Sequence, residues 1–528
     1  MNTFLKTLLL SFFLFAYTTG YAKESIHQTI TIIGTADLQG MMQARTQKVD
    51  LNFDGKKQKM KLGGIDRLAT LITQIKKENP YTVAVSTGDD LMNRFFHTFK
   101  GSAILSLLSD AGYDLYAFGN HEFDKGSAVL AKALDDTKFQ AICSDLDVSK
   151  SALNGKCLPY VIKDFNGVKV GFFSLMTEDL PLVTSERNVT MISDNVTTAK
   201  KMVEFLDNNG TDIIIALSHI GYKEDRKLAK QVKGIDLIFG GHSHDYIKEM
   251  GHINNTAIVN GGEKGSQLVV VDIPLDSNKK VLHKQIVMTK IAVKQSIVPN
   301  EAISKKVANY VKQFPEAIVL GDTKNEWNLH ADQIRKGEST VASMINDLMR
   351  EQFKVDIVLN NGGAFRGQKT YAPGPITDNM LKEIDEFGNY AYTFKLKGKY
   401  IKEVLEWSAS NYGKGGFLQP SGLRYRITLS KEIMLAEKNK IMQEGSRVDN
   451  IEVLVGDTWK ALDDEREYTV LSNSFLVQHA GDGYFWFSEY GTNLKNTYAT
   501  FYSLMADFLH KYKTLSPKEK DGRVVVMQ

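Results

Sequence analysis

One pattern limits the folds open to this chain more than any other. Apolar runs recur through its first half, and five of them end in a turn carrying Asp, Asn or His. They are "ITIIGTAD", ending at Asp37; "YTVAVSTGDD", reaching Asp89; "DLYAFGNHEFD", with Asn120, His121 and Asp124; "TDIIIALSHIG", with His219; and "IDLIFGGHSHD", with His242 and His244. Between the runs lie amphipathic segments such as "GGIDRLATLITQIKKENP" and "GSAILSLLSDAG". Strand-like and helix-like segments in alternation predict an α/β fold built in layers. In such folds ligands bind beyond the carboxyl ends of the strands.

Each turn alone reads equally well as a capped helix start. Five such ends, in a chain with only 11 histidines, point to a metal centre. The donors are carboxylate, amide oxygen and imidazole, with no thiolate. That set suits Mn, Zn, Co or Fe and excludes a sulfur-rich structural zinc site. It is large enough for two cations, with Asp89 as the candidate bridge; such a pair clamps a phosphoryl group and activates the attacking water. His121 stands beside Asn120, and Asp124, three residues on, is placed to fix its tautomer or else to cap a helix.

The charged amphipathic segment "NEAISKKVANYVKQFP" predicts a connecting helix. Beyond it come new strand-like runs ("VDIVLNNGG", "YTFKLKG", "LRYRITLS", "EYTVLSNSFL") and helix-like segments ("STVASMINDLMREQF", "GKYIKEVLEWSASNY"). The expected division is 26–298, a linker at 299–324, and a smaller α/β substrate-binding domain at 325–528. No internal repeat is present.

The chain of 528 residues is 43% hydrophobic and 24% charged with a net charge of +3, which gives no case for a nucleic-acid polymer or an anionic membrane as partner. Lys6 followed by "TLLLSFFLFAYTTG" and Ala22 reads as a signal peptide over residues 1–22, so a periplasmic or secreted protein is expected. No Cys stands near the cleavage point, and no later run approaches the about 20 apolar residues of a membrane span; no membrane anchor is expected. The two cysteines, Cys143 and Cys157, either close a short loop in an oxidising compartment or remain free thiols. The oligomeric state is open, a monomer being compatible.

The strand-end motifs, "GDD…GNHEFD…SHIG…GGHSHD", resemble those of the calcineurin-like metallophosphoesterases. The later segments "ESTVASMINDLM", "NNGGAFRG", "EFGNYAYTFKLKGKYIKEVLE", "GGFLQPSGLRY" and "GDGY" resemble the partner domain of the 5′-nucleotidase family. The resemblance implies a helix-flanked β-sandwich and two divalent cations, one held by Asp37, Gln39, Asp89 and His244, the other by Asp89, Asn120, His219 and His242. It implies that His121, oriented by Asp124, acts on the phosphoryl transition state or leaving group. In the second domain it implies that Phe417 and Tyr484 stack on either face of a base, and that Asn361 and Arg366 contact ribose and phosphate.

Several positions depart from the family pattern. Gln39 stands where a His is usual, while His242-Ser-His244 stands where relatives of the periplasmic branch often read His-x-Gln, so amide and imidazole are exchanged around one metal. Gly337 replaces an Arg common before the Glu at 338, with Arg335 and Lys336 just upstream. "ASM" at 342–344 replaces "GNL". The activity implied is hydrolysis of nucleoside 5′-monophosphates. The alternatives are a 2′,3′-cyclic-nucleotide phosphodiesterase or nucleotide-sugar hydrolase, a thiosulfohydrolase-like sulfur-ester hydrolase, or a non-catalytic nucleotide-binding protein.

Overall fold

A computed structural model describes residues 25–528 apart from 52, 54, 55, 57, 181–187 and 438; the expected signal peptide lies outside the described residues. The first half contains two six-stranded sheets packed face to face. One runs in the order Val287–Ala292, Gln267–Leu275, Gln28–Thr35, Thr82–Ser86, Leu115–Ala117, Gln140–Ile142. Its last four strands are parallel, and Gln267–Leu275 is antiparallel to Gln28–Thr35. The other runs Gly251–Ile253, Thr256–Asn260, Leu237–Gly240, Ile213–His219, Val168–Met176, Val161–Phe165.

Period-two alternation explains the layering. In the strand Gln28–Thr35, Ile30 and Ile32 face the second sheet, where they meet a core containing Phe172, Ile215 and Phe239. Ile33 faces the other way, onto helices Ile65–Glu78 and Ser102–Ala111 through Leu68, Ile72 and Leu108. Phe173 and Leu175 likewise turn outward onto helices Asn195–Asn208 and Tyr222–Gln231. The result is helix, sheet, sheet, helix, with strands apolar on both sides because both sides are covered. The parallel strands deliver their carboxyl ends to one rim, where the Asp, Asn and His turns gather.

The connecting helix forms at Glu301–Lys312, with the Asn300 side chain accepting the Ile303 N–H as an N-cap. It buries Ile303 and Val307 against the first domain's helices, so it belongs to that domain's packing rather than bridging open solvent. After it, a five-stranded sheet (Leu418–Ser421, Ile357–Asn361, Glu467–Asn473, Tyr390–Lys397, Thr492–Thr500) and a four-stranded one (Thr458–Ala461, Val448–Val455, Leu423–Thr428, Val524–Met527) pack with helices Thr340–Phe353, Gly398–Ser410 and Phe501–Tyr512. Among the described residues no helix is long and apolar enough to cross a membrane.

Cys143 and Cys157 form a disulfide, their Cα atoms 5.9 Å apart and 14 residues apart in sequence. It closes the loop beyond the edge strand Gln140–Ile142. Loop closure of this length stabilises by about 3 kcal/mol. The double variant Cys143→Ala/Cys157→Ala is therefore expected to lower the urea midpoint by the equivalent of about 2–4 kcal/mol, and reductant to do the same to the parent alone. A double variant that unfolds at the parent's urea midpoint would show that the bond contributes nothing to stability.

Candidate metal centre

The turn residues of five strands meet at one rim. Asp37 and Asp89 are 0% and 2% exposed and His219 is 0% exposed, deep burial for ionisable groups. The turns interlock through backbone hydrogen bonds: Asp37 N–H donates to Gly88 O at 2.9 Å, and Gln39 N–H to Asp89 O at 3.0 Å. Asp89, His219 and His242 bring ligand atoms within 4.8 Å of one another. Asp89 Oδ1 accepts the His121 N–H at 2.9 Å, and its Oδ2 lies 3.1 Å from His219 Nε2. Asp37 Oδ2 accepts the His242 N–H at 3.0 Å, while Oδ1 lies 3.3 Å from His244 Nε2.

Two observations fit this donor set to divalent cations. Asn120 Oδ1 and His242 Nδ1 are both buried with no hydrogen-bond partner. Each such atom costs about 1–3 kcal/mol, an arrangement that persists when coordination satisfies it. Second, Asp37, Gln39, Asp89, His242 and His244 all hold left-handed backbones, with φ between 50° and 72°. Non-glycine residues adopt that region at a cost of order 1 kcal/mol each, and such strain collects at functional sites.

His219 Nδ1 donates to the Thr87 carbonyl at 2.6 Å, which turns Nε2 toward Asp89, as a ligating histidine is commonly held by a hydrogen bond from its other ring nitrogen. His121 Nδ1 lies 2.8 Å from Asp124 Oδ2, and Asp124 starts no helix: it closes the short turn Asn120–Phe123. Gln39 Nε2 lies 3.1 Å from His244 Nε2, and His244 Nδ1 faces Glu263 Oε2 at 3.4 Å. Gln39 and His244 are thus neighbours. Glu263 is an addition to the expected set; the signal that could have found it is a sixth apolar run with a polar end, "TAIVNGGEKG".

On the second domain, Arg366 Nε lies 3.2 Å from Glu386 Oε2. Glu386 Oε1 accepts the Asn93 N–H across the domain boundary at 2.5 Å, and Asn93 Nδ2 donates to Gln39 O at 2.5 Å. Phe387 stacks on the His121 ring, centroids 5.9 Å apart at 13°, and the Arg366 guanidinium lies 5.3 Å from the Phe387 centroid. Asn93, Glu386 and Phe387 are likewise additions, and no single-sequence pattern marks a cross-domain contact.

The aromatic pair departs from expectation. Phe417 and Tyr484 are both 0% exposed inside the second domain's core. Tyr484 donates its hydroxyl to Gly416 O at 2.6 Å and stacks on Phe487, so neither ring presents two open faces. Flanking glycines suggest exposure, but apolar packing overrides that signal. Asn361 is held from both ends, donating to Asp482 Oδ2 at 2.8 Å and accepting from Asn473 at 3.0 Å. Gly337 has open space about it, and Glu338 accepts the N–H groups of Asp521, Gly522 and Arg523. Burial, with Arg366 nearby, lowers the Arg335 pKa to about 10.

Comparison with known proteins supplies the class. Residues 30–246 match the calcineurin-like phosphoesterase model, and residues 319–489 match the 5′-nucleotidase C-terminal domain model. The fold and rim are those of a metal-dependent phosphoester hydrolase. The chain belongs to the 5′-nucleotidase family, which joins these two domains. It is 28% identical over 510 residues to the trifunctional nucleotide phosphoesterase protein YfkN of Bacillus subtilis, aligning 87% of this chain but spanning only 33% of that protein's length. A 5′-nucleotidase of Diplobatis ommata is 24% identical, with 94% of this chain and 90% of that one covered. The 5′-nucleotidase precursor of Thermus thermophilus superposes with a TM-score of 0.80 at 26% identity, covering 95% of this chain and 100% of that one.

Charge at the rim sets a pH dependence. Burial alone would lower the His219 pKa, but the Asp89 carboxylate raises it to about 10. His242 falls to about 3 through burial and the His219 charge. In the metal-free protein His219 is therefore protonated at neutral pH, on the lone pair a cation needs. Mn²⁺ uptake by chelator-stripped protein should release protons, and its affinity should rise about tenfold per pH unit for each proton displaced, between about pH 6 and 9. Calorimetry in buffers of different ionisation enthalpy measures both. A pH-independent affinity would mean that no imidazole changes protonation on binding.

Proposed function

We propose that this chain is an exported dinuclear phosphohydrolase that removes phosphate from nucleoside 5′-monophosphates. The observation that carries the reading is the meeting of the two domains at His121, where Phe387 stacks on the ring and Arg366 lies over Phe387. A guanidinium suited to phosphate thereby stands beside the donor-rich rim. Relatives named 5′-nucleotidase support it, as does the leader-like stretch over residues 1–22. We assign residues 26–298 to the metal domain, 299–324 to the linker and 325–528 to substrate binding.

Asp37, Gln39, Asp89 and His244 would hold one cation, and Asp89, Asn120, His219 and His242 the other, with Asp89 shared. Mn, Zn, Co or Fe suits this set; when bound, the pair neutralises phosphoryl charge and acidifies the attacking water. The remaining work falls to the chain. Burial lowers the His121 pKa and the Asp124 and Asp89 carboxylates raise it, to a net value of about 9. In the metal-free protein His121 is thus an imidazolium at neutral pH; oriented by Asp124, it is placed to donate a proton to the departing 5′ oxygen as the phosphorus–oxygen bond breaks. From the second domain we assign Asn361 and Arg366 to contacts with ribose and phosphate.

Likeness to a relative named a trifunctional nucleotide phosphoesterase favours a second reading, in which the scaffold accepts 2′,3′-cyclic nucleotides or nucleotide-sugars. The test is a panel of AMP, UMP, ADP, ATP, UDP-glucose and 2′,3′-cyclic AMP assayed with Mn, Zn, Co and Mg. Monophosphates should be the best substrates; cyclic or diphosphate substrates turning over faster would favour the second reading. His121→Ala should retain its metals and lose about 10²–10⁴-fold in kcat, whereas a loss under about threefold would make His121 structural. Asp89→Asn should abolish hydrolysis together with at least one metal per chain, measured by metal analysis.

A further inference from the structure

Two buried carboxylates at the rim are not candidate metal ligands. Glu122 is 1% exposed and Asp90 is 0% exposed. The Glu122 carboxylate accepts five hydrogen bonds. Oε2 takes the N–H of Asp89 at 2.8 Å and of Gly119 at 2.7 Å. Oε1 takes the N–H of Asp90 at 2.9 Å and of Leu91 at 3.1 Å, and the Tyr116 hydroxyl at 2.9 Å. Asp90 continues the chain of contacts: Oδ1 accepts the Leu38 N–H at 3.0 Å and Oδ2 the Ser86 hydroxyl at 2.6 Å. Three turns on adjacent parallel strands, carrying Asp37, Asp89 and Asn120, are therefore tied together by two side chains.

This network holds what the coordination geometry depends on. Asp89 has a left-handed backbone at φ 54°, and its own N–H is fixed by Glu122. Gly119 N–H, just before Asn120, is fixed by the same oxygen. A carboxylate accepting several N–H groups binds them more strongly than a neutral acceptor, because each bond is charge-assisted.

We propose that Glu122 is a positioning residue for the metal centre, with Asp90 extending the same clamp to the Asp37 turn: it touches neither cation nor substrate and sets the spacing of the ligand-bearing turns. The proposal rests on the metal-ligand reading above. The test compares chelator-stripped parent, Glu122→Gln, Asp90→Asn and, as control, Glu406→Gln. Glu406 is a buried carboxylate of the second domain that accepts the N–H groups of Arg447 and Val448 at 3.0 and 2.9 Å, remote in role from the rim. The parent is titrated with Mn²⁺, Zn²⁺ and Co²⁺ in turn and each variant with Mn²⁺ by calorimetry, and all are melted in chelator.

Glu122→Gln keeps the shape but turns an acceptor into a donor facing two backbone N–H groups. Its Mn²⁺ dissociation constant should rise about 10–100-fold, the range seen when groups that orient metal ligands are removed. Asp90→Asn should weaken binding in the same direction. Glu406→Gln should lower the melting temperature and leave the Mn²⁺ constant within about threefold of parent. Weakened binding in both rim variants with an unmoved control supports the clamp. Rim variants that melt earlier but bind Mn²⁺ like the parent overturn it, making both carboxylates merely structural. If Glu122→Gln does not fold, Asp90→Asn decides by the same criterion. A parent that binds none of Mn²⁺, Zn²⁺ and Co²⁺ sinks the metal-ligand reading and this proposal with it, an outcome distinct from variants that match a metal-binding parent.

Discussion

The burial of unpartnered donor and acceptor atoms at one rim is the constraint on which the rest of the structure turns. Asn120 Oδ1 and His242 Nδ1 sit out of water without partners, which folding alone does not reward. The surrounding layers make that burial possible. Two sheets packed on each other and covered by helices on their outer faces leave the ends of the central strands free of side-chain packing. The parallel strands point those ends the same way, so residues far apart in sequence are delivered to one place. A fold with both sheet faces sealed has little choice but to do its chemistry on its rim.

Much of this was legible in the sequence because the signals were local and periodic. Runs such as "ITIIGTAD" and "TDIIIALSHIG" announce buried strands, and a polar residue just past each end announces the rim. The helices Glu301–Lys312, Thr340–Phe353 and Gly398–Ser410 follow amphipathic stretches that begin after Asn300, Ser339 and Lys397. What escaped was of another kind. The strand Thr492–Thr500 is exposed along most of its length, so it lacks the alternation that marks a half-buried strand. Glu263, Glu386 and Phe387 matter through contacts with residues far away in sequence, which no window of neighbouring residues encodes.

The second domain shows the limit of reading exposure from composition. "GGFLQPSG" and "GDGYFWF" place rings among glycines, and glycine suggests open loops. Yet Phe417 and Tyr484 join a core with Trp486 and Phe487, because a large ring contributes more by leaving water than by waiting at a surface. The residues of this domain that reach the rim are instead Glu386 and Phe387, on the short stretch between helix Asp378–Ile384 and strand Tyr390–Lys397. Glu386 ties one domain to the turn structure of the other through Asn93, and Phe387 does so through the His121 ring.

The seam between two of the turns has a consequence for how such a chain can vary. A side chain at Gly88 would meet Gly119 N at 2.1 Å, and one at Gly119 would meet Asp89 Oδ1 at 2.3 Å. Backbone contact this close leaves each position a one-letter alphabet. No single substitution can widen the gap between these turns by degrees; even alanine forces the whole seam apart. Side chains at the rim can be exchanged without touching that seam, but the distance between the turns that present them is fixed by it. Chemistry there can drift by swapping ligands while the frame stays still.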